Sequence, residues 1–179
     1  MPLPDHSRRP RIYLAGPDVF RPDAERVFAG LKAQCDALGL QGVAPTDAGV
    51  DTHHGSDDEI AQRIYEGNVR LLRGCDGVIA HLAPFRGLEP DAGTVFEVGY
   101  AVALGRPVVA YGVPEASYEQ RVCAAIGCAR DAQGVMRETG SGTMVEGLGQ
   151  RLNLMLTRSA AIEADAAAAL RRIAALLGR

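Results

Sequence analysis

Two acidic residues, Asp91 and Glu97, stand six positions apart in a segment whose composition makes a carboxylate unusual. From residue 95 to residue 104, every residue except Glu97 is apolar, a glycine or a tyrosine. An ionised carboxylate in such a segment carries a desolvation cost, which must be offset by hydrogen bonds or used in chemistry. A nucleophilic carboxylate with a second acid or base nearby is the minimal apparatus for retaining chemistry at a glycosidic carbon. The pair is therefore a candidate catalytic centre.

Residues 95–104 are predicted to form a helix that is hydrophobic all round and therefore buried. The sequence TVFE at residues 94–97 fits a capping box at its start, and Gly105 fits its end. This pattern places Glu97 in the first turn, where free amides and the helix dipole favour the ionised form. A plain capping role explains Glu97 equally well from this pattern alone, and a turn or cap role is typical of Asp91 considered by itself.

Short apolar runs at residues 78–82 and 108–111 flank this helix and have the composition of buried strands. A strand, a helix and a strand in this order form a crossover between two parallel strands. Asp91 and Glu97 are then expected to meet at the carboxyl end of the first of these strands. In open α/β sheets, that edge is where ligands bind.

The rest of the chain alternates between strand and helix patterns. A strand at residues 11–15 ends at Gly16, and a weaker one is predicted at residues 42–45. Residues 127–142 are expected to be mostly irregular, with at most one short strand. Helical spacing of apolar residues predicts helices at residues 24–38, 57–73, 117–126, 144–156 and 159–177. This alternation predicts a flavodoxin-like, doubly wound α/β sandwich with four or five parallel strands.

The 179 residues contain no linker or charge run, so a single domain is expected. Residues 1–10 are predicted to be a flexible lead-in, and residues 157–179 a C-terminal helical extension. The start of the chain lacks an apolar signal core and no run reaches the roughly 18 apolar residues of a membrane span, which predicts a cytoplasmic protein. The net charge of −3, without a Lys/Arg cluster, argues against nucleic acid and favours a small neutral or weakly charged ligand. No membrane partner is expected.

The four cysteines show no CxxC spacing and no histidines at zinc-ligand distances, and they are predicted to be reduced thiols. His53 and His54 lie in a polar stretch at residues 46–56, for which a solvated loop is favoured over a metal site. The sequence therefore predicts no metal site.

Four segments, taken together and in order, resemble the nucleoside 2-deoxyribosyltransferase family. They are IYLAGP at residues 12–17, CDGVIA at 75–80, PDAGTVFEVGYA at 90–101 and LNLM at 152–155. The resemblance spans about residues 11–156. The element D-x-G-T-x-x-E-x-G is its specific part, whereas each of the other segments alone is weak.

The resemblance implies a ping-pong reaction in which Glu97 attacks C1′ of a 2′-deoxynucleoside and forms a covalent deoxyribosyl ester. A second base then accepts the sugar. By the same resemblance, Asp91 protonates the departing base and deprotonates the incoming one, while Tyr13 hydrogen-bonds the glutamate and orients it. A core aromatic is the alternative reading of Tyr13.

The resemblance also implies a set of substrate-binding residues. Asp76 is expected to lie against the base or the sugar edge, with a simple turn residue as the alternative. Phe20 is expected to stack on the nucleobase, and Gly16 and Asp18 belong to the same ligand-facing loop.

Asn153 and Met155 match residues that, in this family, reach into a neighbouring subunit's pocket. The asparagine there binds the sugar 5′-hydroxyl. The resemblance therefore implies a homo-oligomer, a dimer or larger, although Met155 could equally be core filling. The expected partners are a 2′-deoxynucleoside and a free nucleobase, with no metal or organic cofactor.

Two other functions remain open from the sequence. A nucleoside or nucleotide 5′-monophosphate N-glycosidase of the same superfamily would need a phosphate cradle. Asp18 would repel phosphate in the first loop, although Arg86, Arg151 and Ser141 could supply a cradle elsewhere. A non-catalytic nucleotide-sensing module would leave Glu97 as a helix cap.

Overall fold

The structure is a computed structural model and describes residues 8–179. The flexible lead-in predicted for residues 1–10 lies outside these residues except for its last three. Within that short remainder, Arg8 forms an ion pair with Asp76 at an N–O distance of 2.9 Å.

The described part of the chain contains seven strands and six α-helices. The strands are β1 (Arg11–Ala15), β2 (Gln41–Val43), β3 (Gly77–His81), β4 (Val108–Tyr111), β5 (Cys128–Arg130), β6 (Met136–Glu138) and β7 (Ala161–Ile162). The helices are α1 (Ala24–Ala37), α2 (Asp57–Arg73), α3 (Ala92–Ala103), α4 (Tyr118–Ile126), α5 (Leu154–Ser159) and α6 (Ala166–Leu176). Two 3₁₀ turns, Pro17–Phe20 and Pro45–Ala48, follow β1 and β2.

Five of the strands form one sheet in the order β2-β1-β3-β4-β7, with every neighbouring pair parallel. This is the flavodoxin-like order, with β1 and β3 adjacent at the point where the order reverses. The predicted fold class is confirmed. Because all strands run the same way, their carboxyl ends, and the loops that follow them, meet at one edge of the sheet.

Apolar side chains cover both faces of this sheet, which explains why its strands read as continuous apolar runs. One face carries Tyr13, Val78 and Ala80 and packs against Val98 and Ala101 of α3. The other face carries Ile12, Leu14 and Ile79. It packs against Phe28 of α1 and against Leu170 and Ile173 of α6. Helix α3 and Tyr13 therefore share the same side of the sheet.

The segment after residue 157 is not the continuous helix that its alanines suggested. Ala161–Ile162 forms β7, which pairs with β4 and completes the sheet. In α6, Leu170 and Ile173 are fully buried. The helix starts late because Asp165 caps it, its carboxylate accepting from the Ala168 amide at 2.7 Å. The segment thus belongs to the central layers of the fold.

Two further expectations for the C-terminal half are wrong. Residues 144–153 contain no helix, and only Leu154–Ser159 is helical, because Gly147 and Gly149 interrupt the apolar spacing. Residues 127–142 hold two short strands, β5 and β6, which form an antiparallel hairpin.

Cys123 and Cys128 form a disulfide that ties the last turn of α4 to the start of β5. The expectation of four reduced thiols is therefore wrong for this pair, whose Cα atoms lie 4.9 Å apart. Cys35 and Cys75 are free and buried. Five-residue spacing does not resemble a common disulfide or metal signature, so the sequence offered no signal for this bond.

Within residues 8–179, no helix has both the length and the apolar character needed to cross a membrane.

Candidate active site

Helix α3 begins at Asp91, which caps it. The Asp91 Oδ2 atom accepts hydrogen bonds from the Thr94 amide at 2.9 Å and from the Thr94 hydroxyl at 3.0 Å. The predicted capping box at residues 94–97 is therefore wrong, since the helix starts three residues earlier. Glu97 lies in the second turn, beyond the free amides of the helix start.

Glu97 is held by a tyrosine from the neighbouring sheet. The hydroxyl of Tyr13, on β1, donates a hydrogen bond to Glu97 Oε1 at 2.6 Å. Tyr13 is fully buried, so its ring is fixed by the core. The second carboxylate oxygen of Glu97 is left available to a ligand, because the tyrosine occupies only one of the two.

The environment of Glu97 raises the pKa of its carboxyl group to about 7. Burial is the main cause and the nearby negative charge of Asp91 adds to it, while the hydrogen bond from Tyr13 acts in the opposite direction. The expectation that the helix start would hold Glu97 ionised is wrong, because Glu97 lies too far along the helix. Burial and Glu97 also raise the pKa of Tyr13 above its usual range, so Tyr13 remains a donor.

A cavity of about 510 Å³ opens in front of these two acids, at the carboxyl edge of the sheet. Glu97 and Asp91 line it together with residues of the loops after β1 and β2 and of α2. The other lining residues are Gly16, Val19, Phe20, Pro45, Thr46, Ala48, Val50, Thr52, Ile64, Asn68, Gly93 and Thr94. This volume lies within the usual range of small-molecule sites.

The charged residues on the described cavity wall are all acidic. Of the described residues that line the cavity, none is basic and two are carboxylates. Thr46, Thr52 and Asn68 add neutral hydrogen-bonding groups. Such a wall suits an uncharged ligand with several polar atoms. Among residues 8–179, no group of three or more His, Cys, Asp or Glu side chains is placed to hold a metal ion.

A family model of the nucleoside 2-deoxyribosyltransferases matches residues 12–155. The chain belongs to this family. The matched residues run from the first strand to the start of α5 and include all four segments in which the resemblance was seen.

One solved structure agrees with this family, and a second solved structure and a curated relative are also similar to the chain. A 2-desoxiribosyltransferase from Leishmania mexicana has a TM-score of 0.70 and 30% identity, covering 93% of this chain and 97% of that one. A conserved protein from Enterococcus faecalis V583, 22% identical with a TM-score of 0.56 over 93% and 98% of the two chains, shows the same fold. An uncharacterized protein of Schizosaccharomyces pombe is 40% identical over 116 residues, 63% of this chain and 54% of the relative. The chain thus spans about half the length of that curated relative.

The structure brings together five of the residues that the family resemblance singled out. Glu97, Asp91, Phe20 and Gly16 lie on the cavity wall, and Tyr13 reaches it through Glu97. The ring of Phe20 is 60% exposed and stacks on Phe85 with centroids 5.5 Å apart.

Asp76 is placed at the opposite edge of the sheet. It directly precedes β3, so it lies at the amino end of that strand, whereas the cavity lies at the carboxyl end. Its carboxylate accepts from Arg8 at 2.9 and 3.0 Å and from the Arg11 amide at 2.8 Å. The expected contact with base or sugar is therefore wrong, and Asp76 joins the chain start to the sheet.

Asp18 is in the expected loop but its side chain does not face the cavity. It is only 6% exposed, and its Oδ2 atom lies 2.8 Å from Nδ1 of His81. The expected contact of Asp18 with substrate is thus not what the structure shows. Asp18 is therefore not placed to repel a phosphate, because its carboxylate is turned away from the cavity and paired with His81.

Asn153 and Met155 lie at the start of α5, away from this chain's own cavity. Asn153 caps the helix through its Oδ1 atom, which accepts from the Met155 amide at 3.0 Å, and its Nδ2 donates to Glu146 at 3.1 Å. Met155 is 72% exposed. Its reading as core filling is wrong.

Apart from Gly16, Phe20, Asp91 and Glu97, the residues of the cavity wall were not identified from the sequence. Thr46 and Thr52 follow β2, which was predicted only as a weak strand leading into a polar loop, and Asn68 lies on α2, which was predicted as a helix without a site residue. The available signal was the topology: β2 pairs with β1, so the segment after β2 must reach the same sheet edge as Gly16.

Proposed function

We propose that this chain is a nucleoside 2-deoxyribosyltransferase that exchanges the base of 2′-deoxynucleosides through a covalent intermediate on Glu97. The observation that carries the proposal is the 2.6 Å hydrogen bond from Tyr13 to Glu97, on a cavity of about 510 Å³ that Asp91 also lines. It is supported by the family to which the chain belongs.

The two acids divide the work through their free oxygens. Glu97 Oε1 is occupied by Tyr13, so Oε2 attacks C1′ while the bond from C1′ to the base nitrogen breaks and its electron pair goes to the base. Asp91 Oδ2 is occupied by Thr94, so Oδ1 remains to give the departing base its proton. In the second half-reaction, Asp91 takes a proton from the incoming base, whose nitrogen displaces Glu97 from C1′.

The raised pKa of Glu97 fits a group that must be ionised to attack and that loses its charge once it is esterified. A carboxylate beneath C1′ also stabilises the positive charge that develops on the sugar before the new bond is complete. With a pKa of about 7, the attacking form becomes more abundant as the pH rises through neutrality. We therefore expect formation of the intermediate to accelerate across that range.

The substrate is proposed to be a free nucleoside, because the described cavity wall has carboxylates and no basic residue. Two of the three groups considered for a phosphate cradle are engaged elsewhere. Arg151 binds the Pro114 carbonyl and Glu115, and Ser141 contacts Glu138 and Thr143. The third group, Arg86, is not part of the described cavity wall and lies over the Phe20 ring, with its guanidinium carbon 5.4 Å from the ring centroid.

Base exchange distinguishes this proposal from its rivals. The protein is incubated with thymidine and adenine, and the expected product is 2′-deoxyadenosine, separated from the free bases by chromatography. Thymine that accumulates at the same rate with and without adenine would indicate an N-glycosidase, in which water takes the sugar from the same intermediate. Neither product would favour the nucleotide-sensing module.

A homo-oligomer in which Asn153 and Met155 complete a neighbouring site is part of the proposal. It is supported by the exposure of Met155 and by the absence of both residues from the described wall of their own cavity. Mixing Glu97→Ala with Asn153→Ala protein tests it. If each site takes Glu97 from one copy and Asn153 from another, equal amounts that re-associate at random regain about a quarter of wild-type activity, because about half of the dimers are mixed and each of these has one intact site. No regain on mixing contradicts the shared site.

A further inference from the structure

The turn Pro17–Phe20, between β1 and α1, carries a buried carboxylate that faces away from the cavity. The side chain of Asp18 is 8% exposed and pairs with His81, the last residue of β3, at 2.8 Å. The Arg21 amide closes the turn by donating to the Asp18 carbonyl at 3.1 Å. A carboxylate at this depth is costly unless its partner stays in place.

The imidazole of His81 sits in a niche that fits it closely. It stacks on Tyr111 with centroids 4.8 Å apart and planes 6° from parallel. A Cβ on Gly16 would lie 2.8 Å from the His81 Cβ, and a Cβ on Gly112 would lie 2.6 Å from its Cδ2. Two glycines and an aromatic ring therefore hold the imidazole in one orientation, with Nδ1 directed at Asp18.

The two residues after Asp18 form part of the cavity wall. Val19 and Phe20 both line the cavity, whereas Asp18 points to the other side of the turn. If Asp18 lost its partner, the turn would have to move to bring the carboxylate to water. That movement would displace Val19 and Phe20. The shape of the cavity therefore depends on the bond between Asp18 and His81, which lies outside it.

We propose that the Asp18–His81 pair is a positioning clamp, which fixes the turn so that Phe20 and Val19 present a preformed wall to the nucleoside. Neither residue touches the substrate or the reacting atoms. This proposal deepens the proposed function, and its kinetic test rests on that function. The clamp sets substrate affinity, while the chemistry of Glu97 and Asp91 is left unchanged.

Steady-state kinetics of base exchange test the clamp. In Asp18→Ala and in His81→Leu, the KM for the nucleoside is expected to rise about 10-fold with kcat within about 3-fold, consistent with loss of one charge-assisted hydrogen bond. His81→Asn keeps an N–H donor at nearly the same place and is expected to retain most of the affinity. Asp23→Ala is the matched control, because Asp23 is an acid of the same loop whose ion pairs, among residues 8–179, are with the exposed Arg21 and Arg26.

A pair of glycine variants tests the niche without touching either member of the clamp. Gly112→Ala pushes a methyl group into His81, and is expected to raise the KM as Asp18→Ala does. Gly39→Ala is its control: Gly39 has φ +69 where Gly112 has φ +73, but no atom lies within 4 Å of the position that its added methyl group would take. The two variants carry the same backbone strain and differ in the clash with His81.

Amide hydrogen exchange gives a readout that does not depend on activity. In Asp18→Ala and His81→Leu, the amides of residues 18–21 are expected to exchange at least about 10-fold faster, with α3 unchanged. Unchanged exchange there would overturn the clamp even in an active enzyme, and so would a fall in kcat at constant KM. A wild-type protein that neither transfers nor hydrolyses would contradict the proposed function alone. Amide hydrogen exchange would still test the clamp. Should Asp18→Ala fail to fold, Gly112→Ala and His81→Asn decide it.

Discussion

The two edges of the central sheet each carry acidic residues, and they use them differently. At the amino edge, Asp76 accepts two bonds from the Arg8 guanidinium and one from the Arg11 amide. At the carboxyl edge, Glu97 accepts one bond from the neutral phenol of Tyr13 and lies near a second acid, Asp91. The first carboxylate is neutralised by a cation, whereas the second is not.

This difference explains the roles of the two edges. An acid whose charge is met by arginine and backbone amides is a structural tie, and its reactivity is low. An acid that is buried without a cation, beside a cavity, has a raised pKa and a free oxygen, which are the properties of a reactive group. Residue type alone does not separate the two cases.

The strongest test of the comparison replaces one acid at each edge. Glu97→Ala is expected to abolish base exchange, by at least about 10⁴-fold in kcat/KM, because it removes the nucleophile. Asp76→Ala, its matched control at the amino edge, is expected to leave kcat/KM within a few-fold of wild type. Equal losses in the two variants would show that the edges do not differ as described.

Asp91→Asn is expected to lower kcat/KM about 100-fold, since the amide cannot supply a proton to the departing base. Asparagine can still accept from the Thr94 amide, so the start of α3 is preserved. Nucleosides with good leaving groups should lose less than those with poor ones. A loss that is independent of the leaving group would indicate that Asp91 acts only as a helix cap.

Glu97→Gln is expected to stabilise the fold at pH 8 by about 3 kcal/mol, because a buried charge is removed. The pKa of Glu97 in the folded state, about 7, exceeds the usual 4.5. The stability that wild-type protein gains from protonated Glu97 is therefore fully present below pH 4.5 and is lost as the pH rises through 7. The stabilisation should therefore shrink between pH 8 and pH 5 in chemical denaturation. Asp76→Asn should instead destabilise the fold, and a gain there would contradict the proposed contrast.

Tyr13→Phe is expected to have the smallest effect, about a 10-fold fall in kcat/KM at neutral pH. Removing the phenol removes the one interaction that lowers the pKa of Glu97, so the rising limb of the pH–rate profile should move to higher pH. Part of the lost rate should then return at pH 9. A profile that keeps its wild-type position would mean that Tyr13 supports only the core.

The sheet and the acid pair could be predicted because their signals are local. The apolar runs at β1, β3 and β4, and the alternation with helices, follow from the need to bury both faces of a parallel sheet. Asp91 and Glu97 are close in the chain and lie at the start of the helix that follows a strand, so the crossover brings them to the carboxyl edge. The two-residue strand β7 was missed because it is too short to produce a pattern.

Sequence by itself thus determined the fold class, the sheet edge that holds the candidate site and the two acids on it, since these depend on residues near one another along the chain. Tertiary structure decided which other residues meet them. Tyr13 and Glu97 are 84 positions apart, and Asp18 and His81 are 63 apart. Their pairing depends on the order of the strands. Burial and charge partners, which set the pKa of Glu97, exist only once that order brings distant segments together.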